Sequence, residues 1–434
     1  MTPETTANLF GGELDPNLET SVKECLQILE LNVTPVAQFV DGLSIQKGLG
    51  PDRFGMQKFE HAQNLASQTD AIAQDRGLTP NQTELLRVIL TGHDTGRHIE
   101  AITGINTIDK TERAQTSLRE QYIRHMHSGQ EPTPDTYDTV DDIVVPVVTA
   151  LDDYRETLTQ KKRGVRHGMY SMLFLRSIGV LYDLPDDARY IIEQAVFWHA
   201  EKEVNIEKPP HETDDSENLM ELAEKLCYVL RDLDKLDIFA ADYLDPENVY
   251  KQIRMHYLKP EERAKLPQMN QEALSTLDGI VKTKEGHTEE SPYIQIVHEK
   301  LNAGIDISDG GALERFNARQ PLDIPDVKHS YANYMLFHVA MIFDLRGRRE
   351  LETLYVEQFE PVMDRLHFIK SRVDPEVFDQ IVDTLSTHIS KELDGQNIKK
   401  EDIQKRIYSY KRIPSPAAGG VSNVTGQAGP PMFV

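Results

Sequence analysis

From Thr79 the chain reads Thr79-Pro80, then Leu85, Leu86, Val88, Ile89 and Leu90, then Thr91-Gly92-His93-Asp94-Thr95-Gly96-Arg97. Apolar side chains this dense bury a helix almost all round. An adjacent His-Asp pair follows, where that helix meets a Gly-containing break. His93 lies four residues after Ile89 and Asp94 four after Leu90, so both continue the buried face. Leaving such groups unpaired in an interior costs roughly a few kcal/mol each. The fold must therefore close around this pair and give it partners.

The rest of the chain supplies helices to do so. Apolar residues recur at helical spacing at Val22, Leu26 and Leu29, at Phe59, Ala62, Leu65 and Ala66, and at Leu222, Leu226, Val229, Leu230 and Leu233. Sustained strand alternation is absent, so the spacing predicts an all-α fold. Expected helices cover 18–40 (one or two, joined at Pro35), 54–74, 80–91, 109–127, 142–158, 168–181, 188–200 and 219–241. Further ones cover 246–256, 270–284, 291–303, 329–346, 348–370 and 375–393. Residues 130–139, 201–217 and 312–328 read as Pro-containing loops. The division expected is an N-terminal arm and helical extension over 1–50, of which 1–16 is mobile, and a main domain over 51–375 with an insertion at about 99–162. A C-terminal helical extension over 376–412 and a disordered tail over 413–434 complete it.

Composition narrows the function class. The 434 residues are 39% hydrophobic and 27% charged, which is globular rather than disordered. The formal net charge of −24 argues against sequence-independent nucleic-acid binding and against attraction to anionic membrane. A small anionic substrate stays open, because a bound metal with local Arg or Lys inverts the charge of a pocket. Two cysteines without CxxC spacing, no apolar run of membrane-spanning length and no secretory signal lead to the expectation of a cytoplasmic protein.

The His-Asp pair has candidate co-ligands on other apolar helices. His61 sits one turn before Leu65. His199 ends the run Ile191-Ile192-Glu193-Gln194-Ala195-Val196-Phe197-Trp198, His167 precedes the apolar helix at 168–181, and Asp234 lies within Arg231-Asp232-Leu233-Asp234-Lys235-Leu236-Asp237. Imidazole with carboxylate suits a divalent first-row metal such as Mn, Fe, Co, Ni or Zn better than Ca. Each residue alone also has a plainer reading, a satisfied core histidine or a solvated aspartate; the set together carries the metal reading. Of the other histidines, His98 and His211 lie nearest the proposed site in sequence. Trp198 reads as core packing or as a surface for a ring-bearing substrate.

In this order the motifs resemble the HD-domain metal-dependent phosphohydrolase superfamily. The matching segments are Phe59-Glu60-His61-Ala62, Gly92-His93-Asp94-Thr95-Gly96-Arg97 and Arg231-Asp232-Leu233-Asp234-Lys235-Leu236-Asp237, the last close to an RDADKLD variant. His167 and His199 fall where binuclear members carry two further histidines, and Phe343-Asp344 resembles a late helix of the same variant. The likeness covers about residues 54–370. It departs in a longer segment between Arg97 and His167, and in the lack of the Gly-Tyr-Pro that cyclic-dinucleotide phosphodiesterases carry after the histidine. It departs also around Asp234 from the guanosine polyphosphate hydrolases.

The resemblance implies an HD-type helical bundle holding one or two divalent ions (Mn, Fe, Co, Ni, Zn or Mg). His61, His93, Asp94 and Asp234 would hold the first, and His167 and His199 with a bridging Asp94 the second. It implies hydrolysis of a phosphomonoester, phosphodiester or nucleotide by metal-activated water. Arg97 resembles a phosphate-contacting residue. Lys235 is read either the same way or as a surface ion pair with Asp232 or Asp237. Two other outcomes stay open: a di-iron oxygenase on the same ligand set, and a non-catalytic nucleotide-binding regulator.

Overall fold

The computed structural model describes residues 9–46, 54–103, 120, 134–160, 167–201, 203–210, 215–240, 311–320, 322 and 331–411. Every regular element among them is helical, as the apolar spacing predicts. In chain order these are α1 (Pro16–Gln46), α2 (Phe54–Ser67), α3 (Thr69–Asp75), α4 (Pro80–Gly92), α5 (Thr95–Thr103), α6 (Pro134–Gln160), α7 (His167–Ser177), α8 (Asp186–Trp198) and α9 (Ser216–Ala240). Then come α10 (Ala312–Asn317), α11 (Tyr331–Ala340), a 3₁₀ turn (Met341–Asp344), α12 (Arg348–Glu357), α13 (Phe359–Lys370), α14 (Pro375–Glu392) and α15 (Lys400–Ser409). No described helix is long and apolar enough to cross a membrane.

The element boundaries have local causes. Thr79 caps α4 through a capping box with Gln82, and Pro80 occupies the first turn, where its missing N–H costs nothing. Helix α1 runs unbroken through Pro35, and α6 through Pro146. Each proline strips a hydrogen bond from the carbonyl four residues earlier, and those residues, Leu31 and Asp142, are exposed to water. The expected helix over 54–74 is instead two, because hydroxyls compete for the carbonyls of its middle turn: Ser67 donates to Asn64 and Thr69 to Ala66. The stretch 348–370 also divides, at Gln358, just ahead of Pro361, which is tolerated only in a first turn.

Three expected loops or arms are more ordered than their composition suggested. Pro134, read as part of a loop, opens α6. Residues 312–317 form α10. Leu9 is buried, and the segment after it is stitched to the start of α4: the Thr79 hydroxyl donates to the Leu9 carbonyl, Asn81 donates to the Glu13 carbonyl, and Asp15 N–H donates to Asn81. The expected helices at 109–127 (apart from Glu120), 246–256, 270–284 and 291–303, and the tail from 413, lie outside the described residues, as do residues 1–8.

The buried apolar side chains form two clusters. The first joins α1 to α9 and includes Val22, Leu29 and Val36 of α1 and Val144, Val147, Val148 and Leu151 of α6. The second begins at Phe239, near the end of α9, and takes in α10 to α15. Helix α9 is thus shared: Leu226, Leu230 and Leu233 pack in the first cluster and Phe239 in the second. Arg365 fixes the junction, donating to the Ile238 and Phe239 carbonyls at the end of α9.

Candidate metal centre

Two glycines let the backbones that carry the histidines approach. A methyl at Gly96 would stand 2.3 Å from the His167 carbonyl oxygen and 2.5 Å from Ser171 N, so α5 crosses α7 with no side chain between. A methyl at Gly168 would stand 2.5 Å from the Phe197 carbonyl oxygen, so α7 lies equally close to the end of α8. The Ser171 hydroxyl stitches this crossing, accepting from Gly96 N–H at 2.8 Å and donating to the His93 carbonyl at 2.5 Å.

Around this crossing the six expected ligands gather in two groups. One donor atom from each of His61, His93, Asp94 and Asp234 lies within 4.8 Å of the others, and the same holds for Asp94, His167 and His199. Asp94 belongs to both. His93 and Asp94 stand in the break between α4 and α5, and both are buried, at 0% and 3% exposure.

The ring orientations are fixed from behind. His93 Nδ1 lies 2.8 Å from the Leu90 carbonyl and His199 Nδ1 lies 2.6 Å from the Val196 carbonyl. In each case Nδ1–H is the only possible donor, which leaves Nε2 with a free lone pair. His61 Nδ1 lies 2.8 Å from Asp237 Oδ2, while its Nε2 faces Asp234 Oδ1 at 3.4 Å. This is the carboxylate support that metal-ligating histidines use. Four imidazoles therefore turn Nε2 towards common points.

Three observations fit a divalent metal to these donors. His93 Nε2 is buried with no hydrogen-bond partner, an arrangement that is costly in a protein interior. His167 Nε2 and His199 Nε2 stand 3.0 Å apart. Both belong with Asp94 to one donor group, whose atoms would serve as ligands to a single ion. The mixed nitrogen and oxygen set suits first-row ions.

The protonation states agree. Burial holds His93, His167 and His199 towards the neutral form, His199 being pushed down to about 4. Burial opposes the charge on Asp94, but the Lys58 and Arg97 cations outweigh it and hold the carboxylate ionised. Asp234 is likewise held below its usual range, against burial, by its bond to His61. His61 differs: burial disfavours its charge, yet Asp234 and Asp237 raise it to about 9.

Arg97 lies beside the centre, with Nε 3.7 Å from Asp94 Oδ1 and Nη1 3.4 Å from Glu100 Oε2. Lys235 does not join it. Its ammonium turns to Asp344, 2.8 Å from Oδ2 and 3.1 Å from the carbonyl oxygen. Lys58 is the cation at the site instead, with Nζ 3.0 Å from Asp94 Oδ2. His98 is structural, its two ring nitrogens meeting the Thr95 and Gly55 carbonyls. Trp198 is core, 2% exposed and bonded to Gln194. His211 lies outside the described residues. Lys58, Asp237, Glu100 and Ser171 were not singled out by the sequence reading. Lys58 and Asp237 do stand three residues from His61 and Asp234, on the same helix faces.

No family model, curated protein or solved structure matches this chain.

Proposed function

We propose that the chain is a metal-dependent phosphohydrolase of the HD-domain type, acting on a small phosphorylated substrate such as a nucleotide. The observation that supports it most is a shared carboxylate, Asp94, between two metal-binding groups, with two cations, Lys58 and Arg97, at its oxygens. In this reading His61, His93, Asp94 and Asp234 hold one ion, and Asp94, His167 and His199 a second. Such ions supply Lewis-acid polarisation of a phosphoryl oxygen and a water made acidic near neutral pH.

The chain's own residues do the rest. Lys58 and Arg97 bind the non-bridging phosphoryl oxygens, a charge-assisted contact that orients the phosphorus. Glu100 fixes the Arg97 fork. Asp237, 2.8 Å from His61 Nδ1, draws that side of the ring away so that Nε2 serves the centre. An oxygenase could use the same ligands, but two cations beside the shared carboxylate suit a phosphate better than an uncharged substrate.

The test is Asp94→Asn, which keeps the side-chain shape. With Mn²⁺ supplied, we expect hydrolysis of p-nitrophenyl phosphate, its bis-ester or a nucleotide to fall by at least about 100-fold. The fold should be retained by circular dichroism. A variant as fast as wild type on every ester of the panel that wild type cleaves rejects the assignment.

A further inference from the structure

Helix α9 presents two faces. Asp234 and Asp237 reach His61 on one side. On the other, Arg231, Asp232 and Lys235 grip the segment that opens the second apolar cluster. The Asp232 carboxylate accepts N–H bonds from Arg346 at 3.2 Å and Gly347 at 2.9 Å, at the start of α12. Asp344 accepts from Lys235 at 2.8 Å and from Arg231 Nη2 at 3.1 Å.

Arg231 does more than pair. Its other terminal nitrogen, Nη1, donates to the Glu201 carbonyl at 2.7 Å, two residues after His199. One guanidinium, 10% exposed, therefore spans three things: the helix carrying Asp234, the exit from His199, and the second cluster through Asp344. Asp234 and His199 belong to different donor groups. The relative placement of the two groups is thus braced by a fork that only Arg offers, since Lys cannot reach two acceptors with fixed geometry.

We infer that Arg231 and Asp344 are positioning residues for the metal centre, so that the C-terminal helices set metal affinity without supplying a ligand. This rests on the metal-binding reading above. Removing the Asp344 charge leaves Arg231 and Lys235 partly buried without their shared anion. The Asp232 bonds to Arg346 and Gly347 remain, which keeps the second cluster docked on α9.

The full chain is titrated with Co²⁺ by calorimetry, and the cobalt visible bands are recorded, for wild type, Asp344→Asn and Arg231→Lys. We expect Co²⁺ binding to weaken about tenfold in each variant, with a changed visible spectrum at a temperature where all three proteins are folded. Wild-type affinity and spectrum in the variants overturn the positioning role and leave the metal reading standing. No Co²⁺ uptake by wild type overturns the metal reading and this inference with it. If Asp344→Asn does not fold, Arg231→Lys decides alone.

Discussion

At the scale of single residues, the centre is a set of donors held in one protonation state by what lies behind them. His61 is the exception, and its behaviour is measurable. Its charged form is favoured in the folded metal-free chain, with a value raised from 6.5 to about 9. That stabilisation is complete below pH 6.5 and fades as pH rises through about 9. In chelator, the stability difference between wild type and His61→Gln should therefore shrink by an order of 3 kcal/mol between about pH 6.5 and 9.5 in urea melts. A difference constant across that range contradicts the pairing with Asp234 and Asp237. Lys58 tests the substrate side: Lys58→Ala should lower kcat/KM for a phosphoester by roughly 10- to 100-fold, the size of a charge-assisted bond, while metal content stays at the wild-type value. Lys235→Ala should leave kcat/KM far less affected.

These two lysines also mark what the sequence could reveal at this scale. His61, His93, Asp94, His167, His199 and Asp234 were legible because such groups on apolar helix faces are expensive to bury without a partner. Lys58 and Asp237 look like ordinary solvated charges, and only their spacing of three from a ligand sets them apart. Lys235 was read either as a phosphate contact or as an ion pair with Asp232 or Asp237; it is next to Asp234 in sequence, and neighbours on a helix point about 100° apart. Its ammonium accordingly meets Asp344 on the other face.

At the scale of elements, helix type and approximate extent followed from apolar spacing and from the Thr79-Pro80 start. The breaks inside 54–74 and 348–370 did not, because hydroxyl competition and the first-turn preference of Pro361 are local effects that periodicity does not register. The close crossings were written in Gly96 and Gly168, each adjacent or near to a ligand, but which helices they admit is a tertiary fact. Gly168→Ala should test the crossing of α7 on α8. With carbonyls at 2.5 and 2.8 Å from the new methyl, the helices must part. We expect a loss of about 1–3 kcal/mol in chemical denaturation. The metal loss should exceed that of a core substitution equally destabilising but distant, such as Ile381→Val paired with a second trim, because His167 and His199 move apart.

At the scale of the molecule, two apolar clusters meet on one helix. Helix α9 contributes side chains to both, Leu226, Leu230 and Leu233 to the first and Phe239 to the second. Ligand binding in the first cluster should consequently be felt in the second. Mn²⁺ at about 100 times its dissociation constant adds about 2.7 kcal/mol to the folded state. Hydrogen exchange should show slowed amides not only in α2 and α7 but also in α12 and α13, which pack with α9. Protection confined to residues before 240 would mean the clusters open independently.

The order in which the donors occur along the chain has a consequence in time. The second group, Asp94, His167 and His199, is complete once residue 199 has been made. The first waits for Asp234, which follows Asp94 by 234 − 94 = 140 residues. At about 5–20 residues per second of synthesis, that is a delay of roughly 7–30 s. During it, His61, His93 and Asp94 exist as an incomplete chelate, and the first ion can be held with all its donors only after α9 has emerged. On the proposed metal reading, full loading would therefore wait until 234 of the 434 residues, just over half of the chain, have been made.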